Sequence, residues 1–183
     1  KITLCSIAVK LRGFFGGHAA ISGGAFCVHT ITPFVTTVCA VVNGGELMQP
    51  YMVQKITDAA GRTVQEFSPT VRRRVISEQT SATMRELMEY TVTDGNGKNA
   101  AVKGYRVGGK SGTSQKLDSA DEKARIASFV AVAPMDAPRL AVLVCLDEPH
   151  SWTTAGGSLS APVAAAVLRD SLEYLGVLPQ NTD

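Results

Sequence analysis

Two apolar, strand-like segments follow one another in the sequence, RIASFVAVAP at residues 125–134 and PRLAVLVCLDEP at residues 138–149. Both are rich in valine, leucine and alanine, a composition typical of buried strands. Only a short turn, MDA, joins them. Parallel neighbours need a crossover long enough for a helix, so this turn predicts an antiparallel pair. The pair is the centre of the predicted fold.

A glycine-rich run, GYRVGGKSGTSQK at residues 104–116, precedes this pair. It contains too many glycines for a good helix, and we predict that it forms the first of three neighbouring strands. Strands that are grouped together and flanked by helices indicate the α+β class with an antiparallel sheet.

The first predicted helix contains FVTTVCAVVN, with Thr32 as its cap, Pro33 at its first position and Gly44-Gly45 at its end. It is apolar nearly all round, which predicts a buried helix. The last predicted helix has Ser158 as its cap and Pro162 in its first turn, and it ends at Gly176.

A middle helix is predicted from the cap Ser77 to about Thr93, where DGNG ends it. Its predicted core face consists of four apolar residues at helical spacing: Met84, Leu87, Met88 and Val92. Before this helix, YMVQKI and TVQEF flank the turn-rich TDAAGR, a pattern that predicts a hairpin at the edge of the sheet. Three arginines follow, and we predict that they form a solvated face: Arg72, Arg73 and Arg74.

Composition and spacing argue against several functional classes. A net charge of +2 on 183 residues is too small to indicate nucleic acid as a partner. No apolar run reaches the roughly 18 residues that span a bilayer. The four cysteines lack paired spacing, so we predict core thiols, no metal site and no disulfide. A zinc site formed by Cys27, His29 and Cys39 is the disfavoured alternative.

In the glycine-rich run, an ideal strand places Lys110 and Gly112 on one face and Ser111 and Thr113 on the other. Glycine permits a local twist that brings these residues round a common cleft. An extended peptide could pair with such a strand, while the lysine and the hydroxyls bind a carboxylate. The alternative is a twisted strand whose glycines only ease the curvature of the sheet.

The run also resembles the third active-site motif, K-[ST]-G-T, of penicillin-binding proteins and serine β-lactamases, in the form seen in class B penicillin-binding proteins. The surrounding segments are similar to that class as well. TPFVTTVCAVVNGGELMQPYMVQKI resembles the helix and strand before the motif, and SFVAVAPMDAPRLAVLVCLDEP resembles the two strands after it. The resemblance extends from about Ile31 to Pro179.

The resemblance implies a D,D-transpeptidase that cross-links peptidoglycan stem peptides ending in D-Ala-D-Ala, acts through an acyl-serine and is acylated by β-lactam antibiotics. In this family the Lys110 ammonium would attract the terminal carboxylate, and the hydroxyls of Ser111 and Thr113 would bond it. Gly112 would leave room for the substrate backbone, and the Thr113 N–H would be an oxyanion donor. The resemblance implies no metal and no organic cofactor.

The family's other two motifs, S-x-x-K and S-x-N, are absent from these 183 residues. We therefore expect an incomplete, carboxy-terminal part of the fold, with the nucleophile, its base and a membrane anchor upstream, and we predict that the isolated chain is inactive. Residues 1–29 match the family poorly, whereas residues 30–183 form the carboxy-terminal part of the transpeptidase domain. The implied location is the extracytoplasmic face of the bacterial membrane.

Two alternatives remain open at this point. One is a non-catalytic scaffold that has the transpeptidase fold and binds cell-wall synthesis or division proteins. The other is a serine β-lactamase. Neither alternative changes the predicted fold class or the predicted position of the site.

Overall fold

The computed structural model describes residues 5–12, 25–51, 53–117 and 121–180. Of the predicted segment 1–29, residues 1–4 and 13–24 lie outside these ranges, as do the side chains of Cys5, Cys27 and His29. The elements in chain order are β1 (Cys5–Arg12), α1 (Ala25–Val42), β2 (Glu46–Met48), β3 (Lys55–Thr57), β4 (Thr63–Glu66), β5 (Val71–Arg74), α2 (Glu78–Thr93), a short 3₁₀ turn (Lys98–Ala100), β6 (Gly108–Gln115), β7 (Arg125–Ala133), β8 (Leu140–Asp147) and α3 (Gly156–Tyr174).

The main sheet has the strand order β1-β8-β7-β6. The β6–β7 and β7–β8 pairs are antiparallel, with Lys110 opposite Val130 and Phe129 opposite Val144, so the predicted three-strand unit is confirmed. The edge strand β1 is parallel to β8 and was not predicted. The sequence argument considered only consecutive strands, whereas the long chain between β1 and β8 leaves ample length for a parallel return.

The sheet is covered on both faces. On one face, Phe129 and Val142 pack with Leu168 and Leu172 of α3, and all four are fully buried. On the other face, Val130 and other alternate residues pack against α1 and α2. This alternation is the period of two expected of a strand. Helices therefore bury the three antiparallel strands from both faces.

Helix α1 begins at Ala25, and Pro33 lies inside it, so the predicted start at Thr32 is wrong. The seven residues between Ala25 and Pro33 include no glycine or proline that would interrupt a helix. Pro33 itself removes one backbone hydrogen bond from the helix. The predicted end at Gly44-Gly45 is confirmed, and both glycines have positive φ. The helix is not buried all round, because Phe34 is 52% exposed.

Helix α2 is capped as predicted, since the Ser77 hydroxyl accepts a hydrogen bond from the Thr80 N–H at 3.0 Å. Of the four predicted core residues, Met88 and Val92 are buried, but Leu87 is 56% exposed. Helical spacing predicted that all four residues face the core, whereas only the side of the helix that carries Met88 and Val92 is buried.

Helix α3 begins at Gly156 after the cap residue Ala155, not at the predicted cap Ser158. Pro162 therefore lies inside the helix and beyond its first turn. The helix ends as predicted at Gly176, whose φ is +65°. The N–H groups of Gly176 and Val177 donate to carbonyls of the last turn, a pattern that commonly closes helices.

Residues 46–51 and 53–74 form a two-stranded antiparallel unit, which we call the ribbon. Strands β2 and β5 pair at its root, and β3 and β4 form the predicted hairpin at its tip. The hairpin does not lie at the edge of the main sheet as predicted, because backbone hydrogen bonds at residues 49–70 and 54–67 join it to the β2–β5 pair. The three arginines Arg72, Arg73 and Arg74 lie on β5 and are exposed as predicted.

Candidate functional site

Strand β6, which contains the KSGT motif, is the last strand of the main sheet. Its outer edge is paired with no other strand in the part of the chain that the structure describes. An open strand edge presents backbone N–H and C=O groups to an incoming chain. The motif therefore lies where an extended peptide can add to the sheet.

The two glycines before the motif lie in tightly packed surroundings. A Cβ on Gly109 would lie 2.5 Å from the ring of Phe129, and one on Gly108 would lie 2.6 Å from the sulfur of Met135. Both glycines are buried, whereas residues from Lys110 onward are partly or fully exposed. The strand therefore enters the site through a tightly packed segment and then becomes accessible.

Lys110 is exposed, and its Nζ donates a hydrogen bond to the Ser111 carbonyl at 2.6 Å. Among the residues that the structure describes, no carboxylate forms an ion pair with it. A nearby carboxylate group would otherwise neutralise this ammonium. Lys110 is thus a cation beside the open edge of β6 that no described carboxylate neutralises.

Ser111 and Thr113 lie on the face of the sheet that α3 covers. The Thr113 hydroxyl accepts from the Gly156 N–H at 3.3 Å and lies 3.4 Å from the Thr154 carbonyl. These distances are at the long limit of hydrogen bonding. The Thr113 hydroxyl therefore contacts the start of α3 only weakly.

Gly112 lies between Ser111 and Thr113 and permits a close approach of a side chain from the neighbouring strand β7. A Cβ on Gly112 would lie 2.5 Å from the Ser128 hydroxyl, which donates weakly to the Gly112 carbonyl at 3.4 Å. A Cβ on Gly156 would lie 2.6 Å from that same carbonyl. Glycine at position 156 therefore lets α3 begin directly beside the motif.

Sequence reasoning did not single out several residues around the motif. Gly157 accepts a hydrogen bond from the Asn99 side chain at 3.0 Å, which ties the 3₁₀ turn to the start of α3. Ser160 is buried and donates to the Ala127 carbonyl of β7. The adjacent glycines at residues 156–157 could have indicated these contacts from the sequence, because paired glycines often mark a close approach of two backbone segments.

Ion pairs hold both ends of β6. Before the strand, Arg106 binds Glu89 of α2 with two hydrogen bonds, at 2.6 and 2.7 Å. After the strand, the Lys116 ammonium lies 2.8 Å from Glu148 and 3.0 Å from Asp147. The hydrogen bond from Lys116 to Glu148, and to a lesser extent the one to Asp147, raises the pKa of Lys116 above its ordinary value. Lys116 is therefore paired with carboxylates, whereas Lys110 has no such partner in the ranges that the structure describes.

Other predictions about the chain are only partly covered by the described residues. Cys39 is buried and Cys145 is half-buried, as expected of core residues. Within the described ranges, no cluster of histidine, cysteine and carboxylate side chains is suited to a metal ion. In the same ranges, no helix has the length and apolarity to cross a bilayer.

Comparison with known proteins extends beyond the motif. The chain is 43% identical over 157 residues to stage V sporulation protein D of Bacillus subtilis, covering 83% of this chain and 24% of that protein. The chain therefore spans about a quarter of the length of this relative.

Two solved structures share the fold. The D,D-transpeptidase domain of a peptidoglycan glycosyltransferase from Eggerthella lenta has a TM-score of 0.70 and 30% identity, covering 81% of this chain and 33% of that chain. Penicillin-binding protein A of M. tuberculosis, solved as a ceftriaxone acyl-enzyme complex, has a TM-score of 0.68 and 27% identity. The match covers 75% of this chain and 31% of that chain.

A family model of the penicillin-binding protein transpeptidase domain matches residues 17–169, most of the chain. The same residues include strand β6 with the KSGT motif and the first part of helix α3, which begins beside it. The chain belongs to the penicillin-binding protein transpeptidase domain family.

Proposed function

We propose that this chain supplies the carboxylate-recognition side of a penicillin-binding D,D-transpeptidase that cross-links peptidoglycan stem peptides. The observation that carries the proposal is the exposed Lys110, which lacks a carboxylate partner among the described residues and stands at the open edge of β6. Family membership supports the reaction class, and the residues of the motif support the ligand class.

The proposed ligand is an extended peptide with a terminal carboxylate, as in a stem peptide ending in D-Ala-D-Ala. Its backbone would add to the open edge of β6, and Lys110 would attract its carboxylate. The hydroxyls of Ser111 and Thr113 would donate to the same carboxylate. To do so, the Thr113 hydroxyl would turn from the Thr154 carbonyl, and the 3.4 Å contact between them is weak enough to exchange.

The Thr113 backbone N–H is proposed as one donor to the oxyanion that forms when a serine attacks the penultimate D-Ala carbonyl. Loss of one such donor typically lowers the rate by about 10²- to 10³-fold. The serine and its base would come from an S-x-x-K segment, which these 183 residues do not contain. The chemistry needs no metal ion, because the serine is activated by a neighbouring base.

β-Lactam antibiotics are the second proposed ligand class, since their carboxylate and acyl carbonyl are placed similarly to those of a peptide ending in D-Ala-D-Ala. The M. tuberculosis relative acylated by ceftriaxone supports this proposal. A location at the extracytoplasmic face of the bacterial membrane and contacts with other cell-wall synthesis proteins belong to the same proposal. A serine β-lactamase is disfavoured because the matching family model is that of a transpeptidase domain.

Carboxylate recognition is testable by titrating the chain with diacetyl-Lys-D-Ala-D-Ala and recording backbone amide shifts of β6 by NMR. We expect saturable shifts, and a roughly 10- to 150-fold loss of affinity in Lys110→Ala, because a charge-assisted hydrogen bond contributes about 1.5–3 kcal/mol. Lys110→Arg should restore only part of the affinity, since the planar guanidinium places its donors differently.

The matched control is Lys103→Ala, which removes the same charge from an exposed lysine in the loop before β6. Its affinity should equal that of the parent chain. A second control is the same peptide with a carboxamide terminus, which should bind no better to the parent than to Lys110→Ala. Equal binding of the acid and the amide to the parent chain would refute carboxylate recognition by Lys110.

Acylation separately tests the proposal that this chain recognises the carboxylate but does not contain the nucleophilic serine. Because these 183 residues contain no S-x-x-K serine, we expect no covalent adduct when the purified chain is incubated with a fluorescent penicillin and separated on a denaturing gel. A labelled band that hydroxylamine removes would show that the chain holds its own nucleophile and would overturn this prediction.

A further inference from the structure

A cavity of about 290 Å³ lies at the root of the ribbon, between α1 and the β2–β5 pair. It is far from the KSGT motif in sequence, and the proposed transpeptidase chemistry does not use it. Its lining is mainly apolar: Pro33, Leu47, Met48 and Pro50, with the hydroxyl-bearing Thr36 and Thr37. A space of this size and lining fits one apolar side chain of a ligand.

A cation, the guanidinium of Arg72, also lines the cavity. The β2–β5 register shifts between Leu47 and Met48, which leaves Arg72 as the extra residue of a β-bulge. Bulges redirect a side chain out of the regular alternation of a strand. The bulge thus explains how an arginine of β5 comes to border an apolar cavity.

The neighbouring arginines differ in their partners. Arg74 binds the Gly44 carbonyl and forms ion pairs with Glu46 at 3.2 Å and Glu78 at 3.4 Å. Within the described residues, neither Arg72 nor Arg73 has a carboxylate partner, and only Arg72 lines the cavity. An unpaired guanidinium beside an apolar space is complementary to a ligand that combines a carboxylate with an apolar side chain.

The backbone around the cavity favours an extended ligand. The root of the ribbon has only two strands in the described part of the chain, so its outer edges have no further strand. Extended peptides add to such edges by main-chain hydrogen bonds, and pockets beside the edge select alternate side chains. Val71, next to Arg72, is 45% exposed and extends the apolar surface along the same strand.

We propose that the cavity at the root of the ribbon binds a short, extended, acidic segment of a partner protein. An apolar side chain of that segment would fill the cavity, and a neighbouring carboxylate would bind Arg72. The site is separate from the KSGT motif and does not depend on the transpeptidase proposal. It gives this chain a protein-docking surface in addition to its substrate side.

The test uses the 183-residue chain and a fluorescein-labelled peptide in which glutamate alternates with valine and leucine. We expect saturable binding by fluorescence anisotropy. Arg72→Gln should weaken it by at least about tenfold, because a charge-assisted hydrogen bond is lost. Thr37→Phe, at an exposed position on the rim, should abolish binding by filling the cavity while the circular dichroism spectrum stays unchanged.

Two controls distinguish specific binding in the cavity from nonspecific electrostatic attraction of an acidic peptide. Arg73→Gln removes the same charge one residue away and should change the affinity by less than about threefold, since exposed charges interact weakly. A peptide in which glutamate alternates with serine carries the same charge without apolar side chains and should bind poorly. Equal losses in the two arginine variants, or equal binding of the two peptides, would mean that any anionic polymer suffices and would overturn the proposal.

Discussion

The main sheet and the ribbon are both antiparallel β-structure, yet they differ in what covers them. Phe129 and Val144 face each other in the sheet and are fully buried beneath helices. In the ribbon hairpin every residue of β3 and β4 is exposed, including Val64 at 67%. Because burial of apolar area drives folding, the sheet carries the stability of the chain. The ribbon contributes little stability and leaves surface for binding.

The largest effect is expected for Phe129→Ala, which should lower the free energy of unfolding by about 3–5 kcal/mol. The ring fills space beneath Gly109, so its removal leaves a cavity that rigid neighbours cannot close. Val64→Ala in the ribbon should change the same quantity by less than about 0.5 kcal/mol. Urea unfolding measures both, and equal effects would show that the two regions do not differ as described.

A smaller effect is expected for Gly156→Ala at the start of α3. Its Cβ would meet the carbonyl oxygens of Gly112 and Ser128, which are backbone atoms of two paired strands. We expect a loss of about 1–3 kcal/mol, together with shifted amide signals for β6. In the ribbon, Gly61→Ala has open space but a φ of +78°, so it should cost about 1 kcal/mol and leave β6 unchanged. Unshifted β6 amides in Gly156→Ala would argue against close packing at the motif.

A still smaller effect on stability is expected for Lys110→Ala. The side chain is exposed and has no carboxylate partner among the described residues, so the free energy of unfolding should change by less than about 0.5 kcal/mol. Thermal unfolding checks this. Markedly earlier melting would assign Lys110 to the fold and would weaken the proposal that it recognises a ligand.

The smallest and most local effect concerns pH and the tip of the ribbon. Hydrogen bonds from the Arg62 backbone and side chain lower the pKa of Asp58 below its ordinary value of 3.8. A lowered pKa stabilises the fold above pH 3.8, and this contribution is lost as the pH falls through the folded-state pKa. The amides of Ala60 and Arg62 donate to the Asp58 carboxylate, so their exchange should accelerate at acid pH relative to the intrinsic rates of unprotected amides, and Asp58→Asn should remove this dependence. Simultaneous acceleration in β7 would mean that the ribbon and sheet open together.

The sequence predicted most elements, and several of its errors share a cause. The Ser77 cap and the Gly176 helix end depend on hydrogen bonds between residues a few positions apart, and both are confirmed. The start of α3 was misplaced because Gly156 is selected by contacts with Gly112 and Ser128, which are distant in sequence. Leu87 was misassigned because periodicity shows a helix face but not how much of it touches the sheet.

By itself, the sequence determined the α+β class, the antiparallel β6–β7–β8 unit and the position of the KSGT motif. These features follow from side-chain alternation, short turns and capping residues, which act over a few positions. Only the tertiary structure decided three features of the described residues. Strand β6 is at an edge of the sheet, Lys116 is paired with carboxylates while Lys110 is not, and Arg72 borders a cavity. Those features depend on which distant segments meet, and local sequence patterns carry no record of such contacts.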